Sequence, residues 1–321
     1  MRILLNKANC PFFLFEVTVF REAFMISFLL ACQGAPTTKT EEGCSFELDS
    51  NCDGIFDPTL VAAGDEHSCG VDAAGSIHCW GRNQSGESTP PPGSFNEIAI
   101  GGEHSCGLNE NGEILCWGYN ESGQTLPPVN SYISVTSGIY HSCAITTEQN
   151  VVCWGMNSEG QAEPLLEAFV HISAGYWHTC GLKESGEVLC WGDNDWGQLD
   201  APEEFFSDIS AGWAHTCGLN LNGEIRCWGF DAQNQLQAPP GVFAQVSAGS
   251  EHSCAVNTDG LASCWGANSS GESTPPEAIF RQISSGSGHN CGIDVEGSVL
   301  CWGADSWGQS SPPDDFIGIS Y

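Results

Sequence analysis

The sequence predicts an all-β fold, a seven-bladed β-propeller of 37-residue repeats, and three observations carry that expectation. The stretch His67-Ser-Cys-Gly-Val-Asp-Ala-Ala-Gly-Ser-Ile-His-Cys-Trp-Gly81 returns at His104, His141, His178, His215, His252 and His289, and the step between histidines is 37 residues each time. A fixed period of roughly 20 to 50 residues marks a solenoid, a propeller or an array. Each copy holds three to four short strand-like runs separated by glycine turns, the content of one blade. Each copy also carries two cysteines ten residues apart, which suits a stapled hairpin.

The 321 residues begin with an export-like segment, residues 1–31. Glu16, Arg21 and Glu22 interrupt its apolar runs, and such charges are costly in a membrane-spanning helix. Arg21 followed by the apolar run Ala23–Ala31 reads as a signal peptide, with an internal start near Val17 or Val19. Leu29-Leu30-Ala31-Cys32 resembles a bacterial lipoprotein box, which would lipidate Cys32. Gln33 after it implies an outer-membrane or surface location in a Gram-negative cell. Several acyl chains on one cysteine give stable anchoring.

Residues 32–43 form a small polar tether without apolar period. Residues 44–59 are Cys- and Asp-rich. Asp49, Asn51, Asp53 and Asp57 surround Gly54 in the alternating oxygen pattern that suits Ca²⁺. Leu60 occupies the place of the bidentate glutamate of an EF-hand, so a complete EF-hand is not expected. A Cys44–Cys52 disulfide closing this piece fits either a calcium site or an acidic turn without metal. No cofactor is expected for residues 60–321.

Within the fourth copy, Ile172–Gly175 is a first strand, Tyr176-Trp177 a tip, His178–Leu182 a second strand and Glu187–Trp191 a third. The turn before the third strand carries a glycine at 75, 112, 186, 223, 260 and 297, as a left-handed hairpin position requires. The third copy has Gln149 followed by Asn150, and Asn tolerates that geometry, so the turn is expected to shift by one residue. Such a hairpin sets the paired cysteines opposite each other. The expected disulfides are Cys69–Cys79, Cys106–Cys116, Cys143–Cys153, Cys180–Cys190, Cys217–Cys227, Cys254–Cys264 and Cys291–Cys301. Cysteines at this density argue for an oxidising compartment.

The pattern G-x-x-H-[ST]-C-G-L…NGEI-x-CWG-x-N-x-x-GQ resembles the repeat of the regulator of chromosome condensation family. The resemblance runs over residues 60–321, about four fifths of the chain. It is most similar to the bacterial secreted branch, which includes a β-lactamase-inhibiting propeller, and it implies seven blades. In that inhibitor the tip face binds a protein partner. The C-terminal Phe316–Tyr321 repeats the strand that opens each copy and is expected to close the ring on the first blade.

The formal charge of −32 repels phosphate backbones, so nucleic acid is not an expected partner. No G-x-S-x-G elbow, no free cysteine beside a histidine and no carboxylate pair outside the repeat is found, so the chain reads as non-catalytic. The repeated histidines and tryptophans read as scaffold, each histidine bonding adjacent loop backbone. Function is expected where copies differ, at the two residues before each histidine. Ile139, Tyr140, Tyr176, Trp177 and Trp213 make an aromatic sector there, flanked by Asp65, Glu66, Glu103 and Glu251. An apolar patch with a polar rim suits a protein partner, and aromatic rings also suit a glycan. A purely structural envelope role is the third option. Trp196 and Trp307 read as packing, and a monomer is expected. Intact mass of the exported protein is expected to show a chain beginning at a diacylglycerol-modified Cys32, and Cys32→Ser is expected to release it from the membrane fraction.

Overall fold

The computed structural model describes residues 58–313 and Phe316. The predicted signal, the Cys32 lipid site, Cys44–Cys52 and the Asp49–Asp57 motif lie outside the described residues. Seven three-stranded antiparallel sheets follow one another, each running inner, middle and outer strand in chain order. The first blade is Pro58–Ala63, His67–Asp72 and Ile77–Gly81; the seventh is Phe280–Ser285, His289–Asp294 and Val299–Gly303. The inner strands surround a central cavity of about 160 Å³, lined by small residues such as Ala63, Ala174, Ala211 and Ser285.

The middle strands are buried on both faces, as in the unbroken burial of His67–Asp72. The hydrophobic core therefore lies between blades. Cys143, Ile145 and Val151 of blade 3 pack on Phe169, Ile172 and Trp191 of blade 4. All seven hairpin disulfides form as the turn geometry predicts, from Cys69–Cys79 to Cys291–Cys301. Cys106 lies directly opposite Cys116 in the ladder, with Cα atoms 4.0 Å apart. Each closes a short loop and contributes about 2–3 kcal/mol by chain entropy.

Blades are tied by a polar relay. His67 donates from Nε2 to Ser105 Oγ of the next blade at 2.8 Å. His104–Ser142, His141–Thr179, His178–Thr216, His215–Ser253 and His252–Asn290 repeat the bond. His289 closes the ring on Ser68 at 2.7 Å. The partner is thus a side chain of the following blade, a correction to the loop backbone suggested by sequence. Direction follows from the acceptors. Asn290 accepts through Oδ1 while its Nδ2 donates to the Glu272 carbonyl. Ser105 gives its own proton to the Glu87 carbonyl, so its oxygen accepts from His67. Trp117 Nε1 donates to that same carbonyl at 2.8 Å. One loop carbonyl gathers the hydroxyl and the indole of the next blade.

Close approach explains the glycine ahead of each tip. A Cβ at Gly138 would collide with the Gly175 carbonyl of the next blade and with the His141 ring. Ring closure has an apolar part as well. Phe316 is fully buried against Val61, Trp80, Ile293 and Val299, and stacks on His78 at 4.9 Å. It fills the slot above Gly70 that Phe95 fills above Gly107 in the second blade. Residues 317–321, where the closing strand is expected, lie outside the described residues.

The third hairpin differs from expectation. Gln149 itself takes the left-handed conformation, φ 65°, so the turn does not shift. The uniform two-strand register outweighs the local preference, and a β-carbon in that region costs about 1–2 kcal/mol. Gln149→Gly is expected to raise unfolding free energy by roughly 0.5–1 kcal/mol in denaturant melts, the gain being reduced by glycine's larger chain entropy.

Burial pushes His104, His178 and His289 down to about 3 and His141 to about 4. The unfolded chain then binds more protons than the folded one below the ordinary histidine value of about 6.5. Their stabilisation is complete above that value and is lost as pH falls toward the depressed ones. At pH 5 each such histidine withdraws about 2 kcal/mol. Thermal melts are expected to show a steep fall in midpoint between pH 7 and pH 5, before ordinary carboxylates titrate. A flat profile there would refute the neutral relay.

Candidate partner-binding face

The face is built by two segments of each blade. The tip joins inner and middle strands. The outer strand ends at the Trp-Gly pair, and its register sets Gly81 opposite His67. The residue after that pair therefore lies beside the tip. Its N–H donates to the second tip residue's carbonyl in every blade, as Tyr119 does to Glu103 and Phe230 to Ala214. The variable residues of the face are thus Arg82, Tyr119, Met156, Asp193, Phe230, Ala267 and Ala304 as well as the tip pairs.

The structure divides the sequence-selected residues between two places. Asp65, Ile139 and Tyr176 line the mouth of the central cavity. Tyr176 reaches across the ring, donating to Asp65 Oδ1 at 3.2 Å and accepting from the hydroxyls of Ser250 and Ser287. Burial first, and then the Asp65 charge, hold its phenol well above the ordinary tyrosine value. Tyr176 is a strut between blade 4 and blades 1, 6 and 7.

Tyr140, Trp177 and Trp213 turn outward. Tyr140 meets Trp177 edge-on at 6.2 Å and Tyr119 at 6.2 Å. Trp213 meets Phe230 edge-on, with centroids 5.4 Å apart. Trp196 meets the same phenylalanine at 4.8 Å. Sequence reasoning missed Tyr119 and Phe230, and it placed Trp196 in packing. Trp196 is 54% exposed and belongs to the face. The signal was present: variability after Trp-Gly matches variability at the tips, and cysteine pairing sets the register. Trp307, also read as packing, is 43% exposed, with the Arg82 guanidinium 6.0 Å from its ring centre.

The acidic flank is partly spent within the chain. Arg82 gathers Glu103 at 3.0 Å, Glu66 at 3.4 Å and the buried Glu87 at 3.5 Å. Burial opposes the arginine's charge, but the bond to Glu103 and the three carboxylate charges outweigh it and raise its value. Glu251 occupies the tip position of Glu66 in blade 6, where Ala267 replaces the arginine. Tyr119 donates to Glu121 at 2.6 Å, which pushes its phenol up to about 12. Among the described residues no group of three or more His, Cys, Asp or Glu side chains is arranged to hold a metal ion. What the arrangement offers chemically is apolar contact area bordered by carboxylates.

Seven segments match the model of the regulator of chromosome condensation (RCC1) repeat, at 59–87, 95–124, 132–161, 169–198, 206–235, 243–272 and 280–309. No curated protein matches the chain. Among solved structures, the ectodomain of the receptor kinase CR4 from Physcomitrella patens is similar, with 27% identity, 77% of this chain and 74% of that chain covered, and a TM-score of 0.69. The CRINKLY WD40 ectodomain of the Arabidopsis thaliana receptor kinase ACR4 has 25% identity, covers 80% and 98%, and gives 0.67. Prp20p from Saccharomyces cerevisiae shares the fold at 18% identity, covering 72% and 80%, with a TM-score of 0.63. With repeats matched over more than half of its length, the chain belongs to the regulator of chromosome condensation repeat family.

Proposed function

We propose that the protein is an exported, non-catalytic binding protein that engages a partner protein through the outward aromatic arc of blades 2 to 5. Seven disulfides and the likeness to two receptor ectodomains support export. Anchoring through a lipidated Cys32 is part of the proposal. The arc itself carries the reading: Tyr119, Tyr140, Trp177, Trp196, Trp213 and Phe230 gather on one face in two clusters. Trp and Tyr dominate binding energy at protein interfaces.

The ring geometry favours protein over glycan. Tyr140–Trp177, Trp196–Phe230 and Trp213–Phe230 meet at 62°, 70° and 76°. Rings so inclined make notches, which take inserted side chains. A sugar ring stacks instead on a free, flat aromatic face. Affinity capture from the native envelope is expected to recover one partner with the wild type. Alanine at Tyr140, Trp177 and Trp213 together is expected to weaken capture by at least about 100-fold. Tyr176→Phe is expected to leave it unchanged. Strong binding on a glycan array, lost in Trp177→Ala, would overturn the protein-partner reading.

A further inference from the structure

The loop after each outer strand ends in a buried polar residue: Glu87, Gln124, Gln161, Gln198, Gln235, Glu272 or Gln309. In all seven, a side-chain oxygen accepts the N–H two residues earlier, as Gln124 does from Ser122 at 3.0 Å and Glu272 from Ser270 at 2.6 Å. In blades 1 and 6 the second glutamate oxygen accepts the N–H three residues earlier, from Gln84 at 3.3 Å and Ser269 at 3.2 Å. In blades 1 and 4 the second polar atom also faces another side chain. Gln198 Nε2 donates to Asp193 at 2.8 Å, and Glu87 Oε1 lies 3.5 Å from Arg82. Both partners are the residue directly after the Trp-Gly pair. The chain completes these two groups itself, each with its chemical complement.

Blades 2, 3 and 5 are different. There the residue after Trp-Gly is Tyr119, Met156 or Phe230. Phenylalanine and methionine bring no oxygen, and the tyrosine hydroxyl is spent on Glu121. The Nε2 groups of Gln124, Gln161 and Gln235 are buried with no partner. An amide N–H withdrawn from water and left unpaired is unfavourable and rare. Three occur together, in the blades that carry the aromatic arc.

We propose that Gln124, Gln161 and Gln235 are the polar recognition groups of the arc, donating to backbone carbonyls of an extended segment of the partner protein. This rests on the binding face proposed above and names the chemistry it reads. The missing element is an acceptor, as Asp193 shows in blade 4. A chain carrying −32 disfavours anionic acceptors, so neutral carbonyl oxygens fit best. An extended peptide alternates such carbonyls with side chains, and a side chain fills the notch between Tyr140 and Trp177. The donors are recessed, so Tyr119, Met156 and Phe230 swing about their side-chain torsions to admit the segment.

The test uses short random peptides displayed on phage and selected on the full exported chain. Gln→Glu is the informative change, because glutamate fills the same slot in blades 1 and 6 and keeps the oxygen that binds the loop. Gln124→Glu, Gln161→Glu and Gln235→Glu are each expected to weaken a selected peptide about tenfold. Gln309→Glu, outside the arc, is expected to leave it unchanged, and thermal melts check that all four fold. The side-chain amide resonances of the three glutamines are expected to shift on peptide addition. Unchanged affinity in all three variants would overturn the assignment, as would recovery of no peptide or binding of glycans in place of peptides. Trp177→Ala and Trp213→Ala on the same peptide separate the two levels. If they abolish binding and the glutamine variants do not, the donor assignment alone falls; if none has any effect, the face falls with it.

Discussion

The carbonyl of the loop glutamine or glutamate is the point on which the ring turns. It takes the indole N–H and the hydroxyl or amide N–H of the next blade, and that hydroxyl or amide oxygen accepts from the preceding histidine. Two side chains of one blade thus meet at one backbone group of the preceding blade, and the histidine joins them through the hydroxyl. Their positions along the chain are coupled, because a one-residue slip would take hydroxyl and indole off the carbonyl and break the histidine–hydroxyl bond. This accounts for a 37-residue step that never drifts. It also makes stability a sum of nearest-neighbour terms, as in other repeat proteins. The closing contacts, His289 to Ser68 and Phe316 over Gly70, join the last term to the first.

Covalent and non-covalent work are divided along the same geometry. Each disulfide staples a hairpin and leaves inter-blade contacts to the relay and the apolar clusters. The relay is satisfied at Nε2, whereas all seven Nδ1 atoms are buried without a protein partner. Such lone pairs are tolerable on neutral rings. Protonation would put a charge on each in the same dry layer, which is why burial drives every relay histidine downward.

What could be read from sequence was whatever the hairpin determines. A three-residue turn brings cysteines ten apart into opposition, so the disulfides and two strands per blade follow. Local propensity misled at Gln149, where six sister hairpins show the geometry that the third also adopts. The face was half legible. Tip residues declare themselves by variability, but adjacent residues diverge: Tyr176 turns into the channel and Trp177 away from it. Nothing in local sequence says that a phenol will find Asp65 across the ring. Tyr119 and Phe230 stand 16 residues beyond the tips they flank, and the ladder alone brings them there. Glu66 and Glu103 looked like a free rim until the reach of one arginine is counted.

Charge placement explains why the arc stands out on so acidic a molecule. Arg82, Lys183 and Arg226 are each paired with carboxylates of this chain. Arg82 draws in three carboxylates at the blade 1–2 junction, and Asp193 is drawn toward a buried amide in blade 4. Between them the face of blades 2 to 5 offers aromatic rings. Under the proposed function, a partner approaching the blade 6 tip meets Glu251 where Ala267 stands in place of an arginine; at the arc it meets aromatic rings. On that reading, like-charge repulsion at the acidic sectors would help orient an acidic partner's encounter. Specificity in this fold would arise less from what the arc adds to the repeat than from where the acidic background is interrupted.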